Sequence, residues 1–169
     1  AYGARVEKYE VEPGQALDPK EVESILAADK NKEIKAVTIT HNETSTGVIN
    51  DLEAIAKVVR SHGALIIVDA VTSFGATEVD VDGWQLDVVV TGSQKALMLP
   101  PGLAVIFFGE RAWEAYDRCE TPRFYLDLGK YRESQAEKMT PFTPNVNLTM
   151  ALARSIELMQ KEGREEIFE

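Results

Sequence analysis

Lys35-Ala36-Val37-Thr38-Ile39-Thr40 and Ala64-Leu65-Ile66-Ile67-Val68-Asp69 decide the fold, because the residues between them carry a helical pattern. Leu52, Ile55, Ala56 and Val59 recur every three or four positions, which places them on one face of a helix. Asn50 can cap that helix with Glu53 at the reciprocal position, and Gly63 terminates it. Residues 35–69 therefore read as strand, helix, strand. A crossover of this length joins parallel strands, and in the right-handed sense. Asp87 to Thr91 and Leu103 to Phe108 are nearly continuous apolar runs, as expected of strands covered on both faces. The Pro100-Pro101-Gly102 break is too short for a helical crossover, and Gln94 to Leu99 supply barely one turn. The strand at Leu103 should therefore run antiparallel to its neighbour, giving an α/β domain with a mostly parallel sheet and one antiparallel strand.

The remaining elements follow from local signals. Val6, Tyr9 and Val11 sit among charged residues in an expected edge strand closed by Pro13-Gly14. Asp18 as N-cap, Pro19 at the first helical position and Glu21 form a capping-box pattern, with Val22, Ile25 and Leu26 on one helical face. His41 to Val48 reads as a polar loop, Glu110 to Arg118 as a short helix and Thr121 to Pro144 as an irregular stretch. Leu148, Leu152, Ile156 and Met159 mark a long closing helix. The absence of an initiating Met, and a helical pattern that starts at Arg164 and is soon cut off, read as a piece of a longer polypeptide.

Bulk composition narrows the function. The 169 residues are 44% hydrophobic and 27% charged, enough to bury the core of one ordered domain. A formal net charge of -10 repels nucleic acid and anionic membranes on average. Cys119 is the one cysteine, which fits a reducing compartment, and no apolar run approaches the roughly 20 residues of a membrane span. The expected location is the cytoplasm. His41 and His62 are separated by a helix and lack a third ligand, so a metal site has little support.

Two residues suggest chemistry. Lys95 follows Val88-Val89-Val90-Thr91-Gly92-Ser93-Gln94 and precedes Ala96-Leu97-Met98-Leu99, an apolar setting that favours the neutral amine able to attack a carbonyl. Asp69 ends the neighbouring apolar run. In a parallel sheet both would sit at the carboxyl edge, where open α/β folds bind ligands. An acid and an amine facing one pocket suit pyridoxal phosphate, whose ring becomes an electron sink when a carboxylate keeps its nitrogen protonated. The loop from His41 to Gly47 adds hydroxyls and amides at the same edge. Phosphate-binding nucleotide fingerprints and a nucleophile elbow are missing.

The segments His41 to Gly47, Ile67-Val68-Asp69-Ala70-Val71 and Thr91-Gly92-Ser93-Gln94-Lys95-Ala96, followed by Pro100-Pro101-Gly102, resemble the class V aminotransferases of the type I pyridoxal phosphate fold. Within that class the nearest likeness is to alanine-glyoxylate and serine-glyoxylate (serine-pyruvate) aminotransferases. The resemblance covers nearly the whole chain and implies a three-layer large domain. It implies that Lys95 holds pyridoxal 5'-phosphate as an internal aldimine and later shuttles the substrate proton. It also implies that Asp69 pairs with the pyridinium nitrogen, Thr44 approaches the phenolic side, Val71 packs under the ring and Gln94 binds phosphate. Thr143 matches a position that reaches the phosphate of a neighbouring subunit, so a homodimer with shared active sites is expected.

By the same resemblance, residues 1–169 are the central and C-terminal part of the large domain. The first phosphate loop, the stacking aromatic residue and the arginine that grips the substrate carboxylate would lie outside the chain, together with the N-terminal segment and the small domain. Thr140 stands where relatives often have a tyrosine. The fragment alone is expected to be inactive, whereas the parent would move an amino group from alanine or serine to glyoxylate or pyruvate. The alternatives are a cysteine desulfurase, which needs a mobile loop cysteine, and a non-catalytic scaffold. A Schiff-base aldolase would need a barrel, which a strand hairpin after Lys95 argues against.

Overall fold

A computed structural model describes residues 3–169. Its centre is a four-stranded sheet in the order β1-β4-β5-β6, formed by β1 (Ala36–Thr40), β4 (Leu65–Asp69), β5 (Val88–Gly92) and β6 (Ala104–Phe108). β1 and β4 are parallel with Thr40 opposite Asp69, and β4 and β5 are parallel with Asp69 opposite Val90. β5 and β6 are antiparallel, with Gly92 opposite Ala104. The expected mostly parallel sheet with one antiparallel pair is therefore observed.

Helix α2 (Leu52–His62) buries the apolar face read from its spacing, whereas α1 (Pro19–Ala28) buries Val22 and Leu26 but leaves the expected Ile25 38% exposed. Val22 and Leu26 of α1, and Leu52, Ile55, Ala56 and Val59 of α2, pack with Ile39, Ile66, Val68 and Val89 in one core. Alternate residues of a strand face opposite sides of the sheet, so one side belongs to these helices. Thr38, Thr40, Ile67, Asp69 and Val90 instead border a depression of about 280 Å³. Gly63 caps α2 at φ 97°, a left-handed conformation that glycine adopts without a Cβ penalty.

Several expectations are corrected. The segment containing Val6, Tyr9 and Val11 is not a strand, and these three side chains are exposed. A strand needs a ladder partner, and the segment at 6–11 pairs with none among the described residues. Glu21 does not close a capping box: the Asp18 carboxylate accepts from the Lys20 amide, whereas Glu21 accepts from the Tyr9 hydroxyl. The cap of α2 is Asp51, whose carboxylate accepts from the Ala54 amide, one residue beyond the expected Asn50. Asn50 is occupied elsewhere, accepting from the Leu17 amide and donating to the Thr40 carbonyl.

Residues 41–48 are more ordered than a polar loop, because β2 (Asn42–Glu43) pairs antiparallel with β3 (Val48–Ile49). The stretch from 121 to 144 contains α4 (Leu128–Ala136), capped by Asp127. Its sequence, Leu-Gly-Lys-Tyr-Arg-Glu-Ser-Gln-Ala, carries no apolar stripe from which a helix could be read. β5 is covered as expected, but β6 is not: Ile106 keeps 44% of its surface exposed. β6 is the last strand of the four, so its apolar composition reports a capacity for burial that the described residues do not fill.

α3 (Glu110–Asp117) follows β6 as expected, and α5 (Val146–Glu162) is the expected closing helix, followed by α6 (Arg164–Phe168). Leu148, Leu152 and Met159 are half-buried on α5, Ile156 is exposed, and Ser155 alone is buried. No helix among the described residues is long and apolar enough to cross a membrane.

Candidate functional site

The carboxyl ends of β1, β4 and β5 share one edge of the sheet, because the three strands are adjacent and parallel. Asp69 is the last residue of β4 and Lys95 lies three residues beyond Gly92, the end of β5. The topology therefore brings the two predicted groups to the same edge from neighbouring strands. Both are exposed in the described chain. The apolar residues around Lys95 do not bury it; they bury Leu97, which is 5% exposed.

Local hydrogen bonds fix the Asp69 side. Its carboxylate accepts from the Val71 amide at 3.0 Å, its carbonyl accepts from the His41 amide at 2.9 Å, and the following Ala70 amide donates to the Val90 carbonyl. The Thr72 hydroxyl donates to the Asn42 carbonyl, joining this turn to the β2 and β3 hairpin. Thr44 is exposed at the tip of that hairpin, and Val71 is half-buried in the turn after Asp69. His41 is buried against Trp84 in an edge-to-face contact, and desolvation pushes its imidazole below the usual pKa.

Lys95 sits in a turn built around Ser93, which is fully buried. The Ser93 hydroxyl donates to the Pro100 carbonyl at 2.7 Å and accepts from the Leu103 amide at 3.2 Å. The Ser93 amide donates to the Leu103 carbonyl and the Ser93 carbonyl accepts from the Leu99 amide. Residues 94–102 are thus an excursion tied at its neck by one serine. Gln94 folds back so that its Oε1 lies 2.7 Å from where a Cβ on Gly92 would be, a space that glycine leaves free. Thr143 is exposed two residues before Asn145, the cap of α5. The Asn145 side chain lies 3.7 Å from the position of a Gly102 Cβ, so the start of α5 adjoins the end of the Lys95 excursion.

Sequence reasoning missed Ser93 and the orphaned polar atoms near this edge. His41 Nδ1, Ser73 Oγ and Thr91 Oγ1 are buried without a partner. The donor set suits a phosphorylated, cationic heterocycle: a fixed carboxylate for a ring cation, an accessible primary amine, and a shelf of amides and hydroxyls. Asp69 also borders the depression on the face of the sheet. Cys119 is exposed just after the end of α3, and the Thr121 side chain and amide pull its thiol down.

This arrangement defines a layered α/β domain whose adjacent parallel strands end at one edge. Residues 1–169 match the family model described as aminotransferase class-V, and the chain belongs to that family. The family's enzymes use pyridoxal phosphate. The chain is 58% identical to the "Soluble hydrogenase 42 kDa subunit" of Anabaena cylindrica, over 99% of this chain and 44% of that protein. It is 40% identical to the L-aspartate–glyoxylate aminotransferase of Paracoccus denitrificans, over 99% of this chain and 43% of that protein. Among solved structures, ureidoglycine-glyoxylate aminotransferase from Bacillus subtilis superposes with a TM-score of 0.90 at 35% identity, over 99% of this chain and 43% of that one. The chain thus spans less than half the length of these relatives.

Proposed function

We propose that the whole protein is a pyridoxal phosphate-dependent aminotransferase that passes an amino group from a small amino acid such as alanine or serine to glyoxylate or pyruvate. The observation that carries this reading is the delivery of Asp69 and Lys95 to one edge by adjacent parallel strands, in a chain of the class V aminotransferase family. The cofactor, when bound, supplies the conjugated cationic ring that accepts an electron pair from the substrate carbon. Asp69, steadied by the Val71 amide, holds the proton on the ring nitrogen. Lys95 would anchor the cofactor through its amine and, once released by substrate, would carry the proton taken from the substrate carbon. Thr44 would approach the phenolic side of the ring, Gln94 would bind the phosphate, Val71 would pack under the ring, and Thr143 would reach the phosphate of a second copy in a cytoplasmic homodimer.

The family match over residues 1–169 favours amino transfer, despite the name of the hydrogenase relative. The test is a half-reaction followed by absorbance. The whole protein should be yellow with cofactor, and alanine or serine should bleach it while releasing the 2-oxo acid. Lys95→Ala should abolish both the covalent colour and turnover. Retention of both in that variant would end this reading. Sulfide release from cysteine without transamination would select the desulfurase alternative.

A further inference from the structure

α5 holds the turn that carries Lys95 at a point where the backbone is unfavourable. Ser155 is 5% exposed, and its hydroxyl donates to the Leu97 carbonyl at 2.6 Å across 58 residues of sequence. Ser155 is the one buried residue of a 17-residue helix, so the buried contact of α5 is polar and directed at a single carbonyl. The peptide it holds leads into Met98, whose φ of 56° is left-handed, a region that side chains with a Cβ occupy at a cost. The Met98 amide in turn donates to the Lys95 carbonyl at 2.9 Å. Ser155, Leu97, Met98 and Lys95 thus form a hydrogen-bonded sequence from helix to amine-bearing residue.

Two further contacts brace the same elements. Met159, one turn along α5, approaches the space above Gly75 that Ala96 and Leu97 also border. Leu148 of α5 comes within 2.7 Å of where a Gly102 Cβ would be, at the far end of the excursion. A serine on a helix interior has lower helix propensity than alanine, so its burial there needs a reason beyond helix formation.

We propose that Ser155 is a positioning residue for Lys95: its hydroxyl fixes the Leu97 carbonyl, holds Met98 in the left-handed conformation and sets the direction from which the lysine amine meets cofactor and substrate. The proposal rests on the assignment of Lys95 as the cofactor-bearing lysine. Without the hydroxyl, the peptide at 97–98 is free to rotate and Met98 to relax, and the Lys95 backbone follows. Misplacement on the ångström scale is costly to a group that transfers a proton.

The experiment compares the holoenzyme of the whole protein with its Ser155→Ala, Ser155→Cys, Lys95→Ala and Val59→Ala variants. Melting temperature, kcat, KM and the pH midpoint of the visible absorbance are measured for each. Ser155→Ala should lower kcat roughly tenfold, which is about 1.4 kcal/mol of barrier. Its KM should change less than about threefold, because uniform binding is retained. Its absorbance midpoint should move by roughly half a pH unit or more. Val59→Ala, a core deletion on α2, should lower the melting temperature and leave kcat and midpoint unchanged. If Ser155→Ala instead behaves like Val59→Ala, the hydroxyl is only structural and the proposal is overturned. Should Ser155→Ala not fold, Ser155→Cys decides, since a thiol fills the site but donates weakly: intermediate kcat and midpoint support the role, and parental values overturn it. Covalent colour surviving in Lys95→Ala would remove the lysine assignment and this proposal with it. Colour lost there, with an unaffected Ser155→Ala, removes the positioning role alone.

Discussion

Arg111→Ala should destabilise the protein by about 3 kcal/mol without touching the edge that carries Lys95. Asp87 begins the approach to β5 with its carboxylate 3% exposed. It accepts from the Ile66 amide of β4 at 2.9 Å and from Arg111 Nη1 at 3.2 and 3.1 Å. The second nitrogen, Nη2, donates to the Gly63 and Ala64 carbonyls at 2.9 and 3.0 Å. One guanidinium on α3 therefore pins the end of α2, the entry to β4 and the entry to β5, and so the register of the parallel pair that ends in Asp69. Removing one partner of a buried pair strands the other charge, at a cost of about 3–5 kcal/mol. Arg60, 3.7 Å from Asp87 on the exposed side, offsets part of that, which favours the lower end. With a urea slope of about 2 kcal/mol per molar, the unfolding midpoint should fall by roughly 1.5 M. The assay is urea unfolding of parent and variant by circular dichroism. A midpoint within about 0.3 M of the parent, with an unchanged slope, would refute the view that this pair holds the strand entries together.

Three smaller perturbations follow from the α2 cap, its neighbour Asn50 and the buried imidazole. Asp51→Ala, which removes the acceptor of the Ala54 amide, should cost about 1 kcal/mol in thermal or urea unfolding, whereas Asn50→Asp should lose the donor to the Thr40 carbonyl and leave the α2 cap intact. His41 is held below its usual pKa by burial, so between its folded and unfolded pKa values the unfolded chain binds the extra proton. Its contribution to stability is therefore full above about pH 6.5 and declines as pH falls from there toward the folded pKa. His41→Gln should flatten that part of the stability curve. An unchanged slope in the variant would assign the pH dependence to other groups.

The sheet was legible because its information is local and redundant. Val88 to Val90 and Leu65 to Val68 are too apolar to sit on a surface, and the two residue stretches that connect strands differ decisively in length. The 35–69 unit allows a helix, whereas Pro100-Pro101-Gly102 allows only a reversal. The edge strand at 6–11 was misread because apolar residues set among charges do not reveal whether a neighbouring strand exists to complete the ladder. α4 escaped for the opposite reason: Asp127 caps it, but its residues lack an apolar stripe. The cap of α2 was misplaced by one residue since Asn50 and Asp51 are equally good acceptors in sequence, and only the positions of Leu17 and Thr40 separate them.

At the site, sequence pattern located the ends of the strands and hence Asp69 and Lys95. It could not show that Leu97, rather than Lys95, is the buried member of its turn. Nor could it show that Ser93 ties the neck and Ser155 reaches across from α5. Those bonds join residues 7 to 58 positions apart, and serine carries no period that would advertise them. A Thr-Gly-Ser-Gln-Lys sequence contains a usable hint, since a small hydroxyl residue between a strand-ending glycine and a polar residue is well placed to accept and donate within a tight excursion.

Substrate choice should lie outside these residues, and the arginines show why. Donor and acceptor in the proposed reaction both carry a carboxylate, which is gripped best by the planar fork of a guanidinium. Seven of the eight arginines are within 4.0 Å of a carboxylate of this chain: Arg5, Arg60, Arg111, Arg123, Arg132, Arg154 and Arg164. Arg118 lines a cleft with Lys35, Gly63 and Leu65, at the amino ends of β1 and β4 and thus opposite to Asp69. The described residues therefore include the two groups proposed to move the proton and to tune the ring, Lys95 and Asp69, while no uncommitted guanidinium among them stands at that strand edge. Exchanging residues 1–169 for the matching segment of the Paracoccus aspartate–glyoxylate aminotransferase should consequently preserve the recipient's ranking of amino donors by kcat/KM, even if both constants fall through imperfect packing. If the ranking follows the transplanted segment, the donor is read by residues of this chain, and the separation of chemistry from recognition argued from the arginines is wrong.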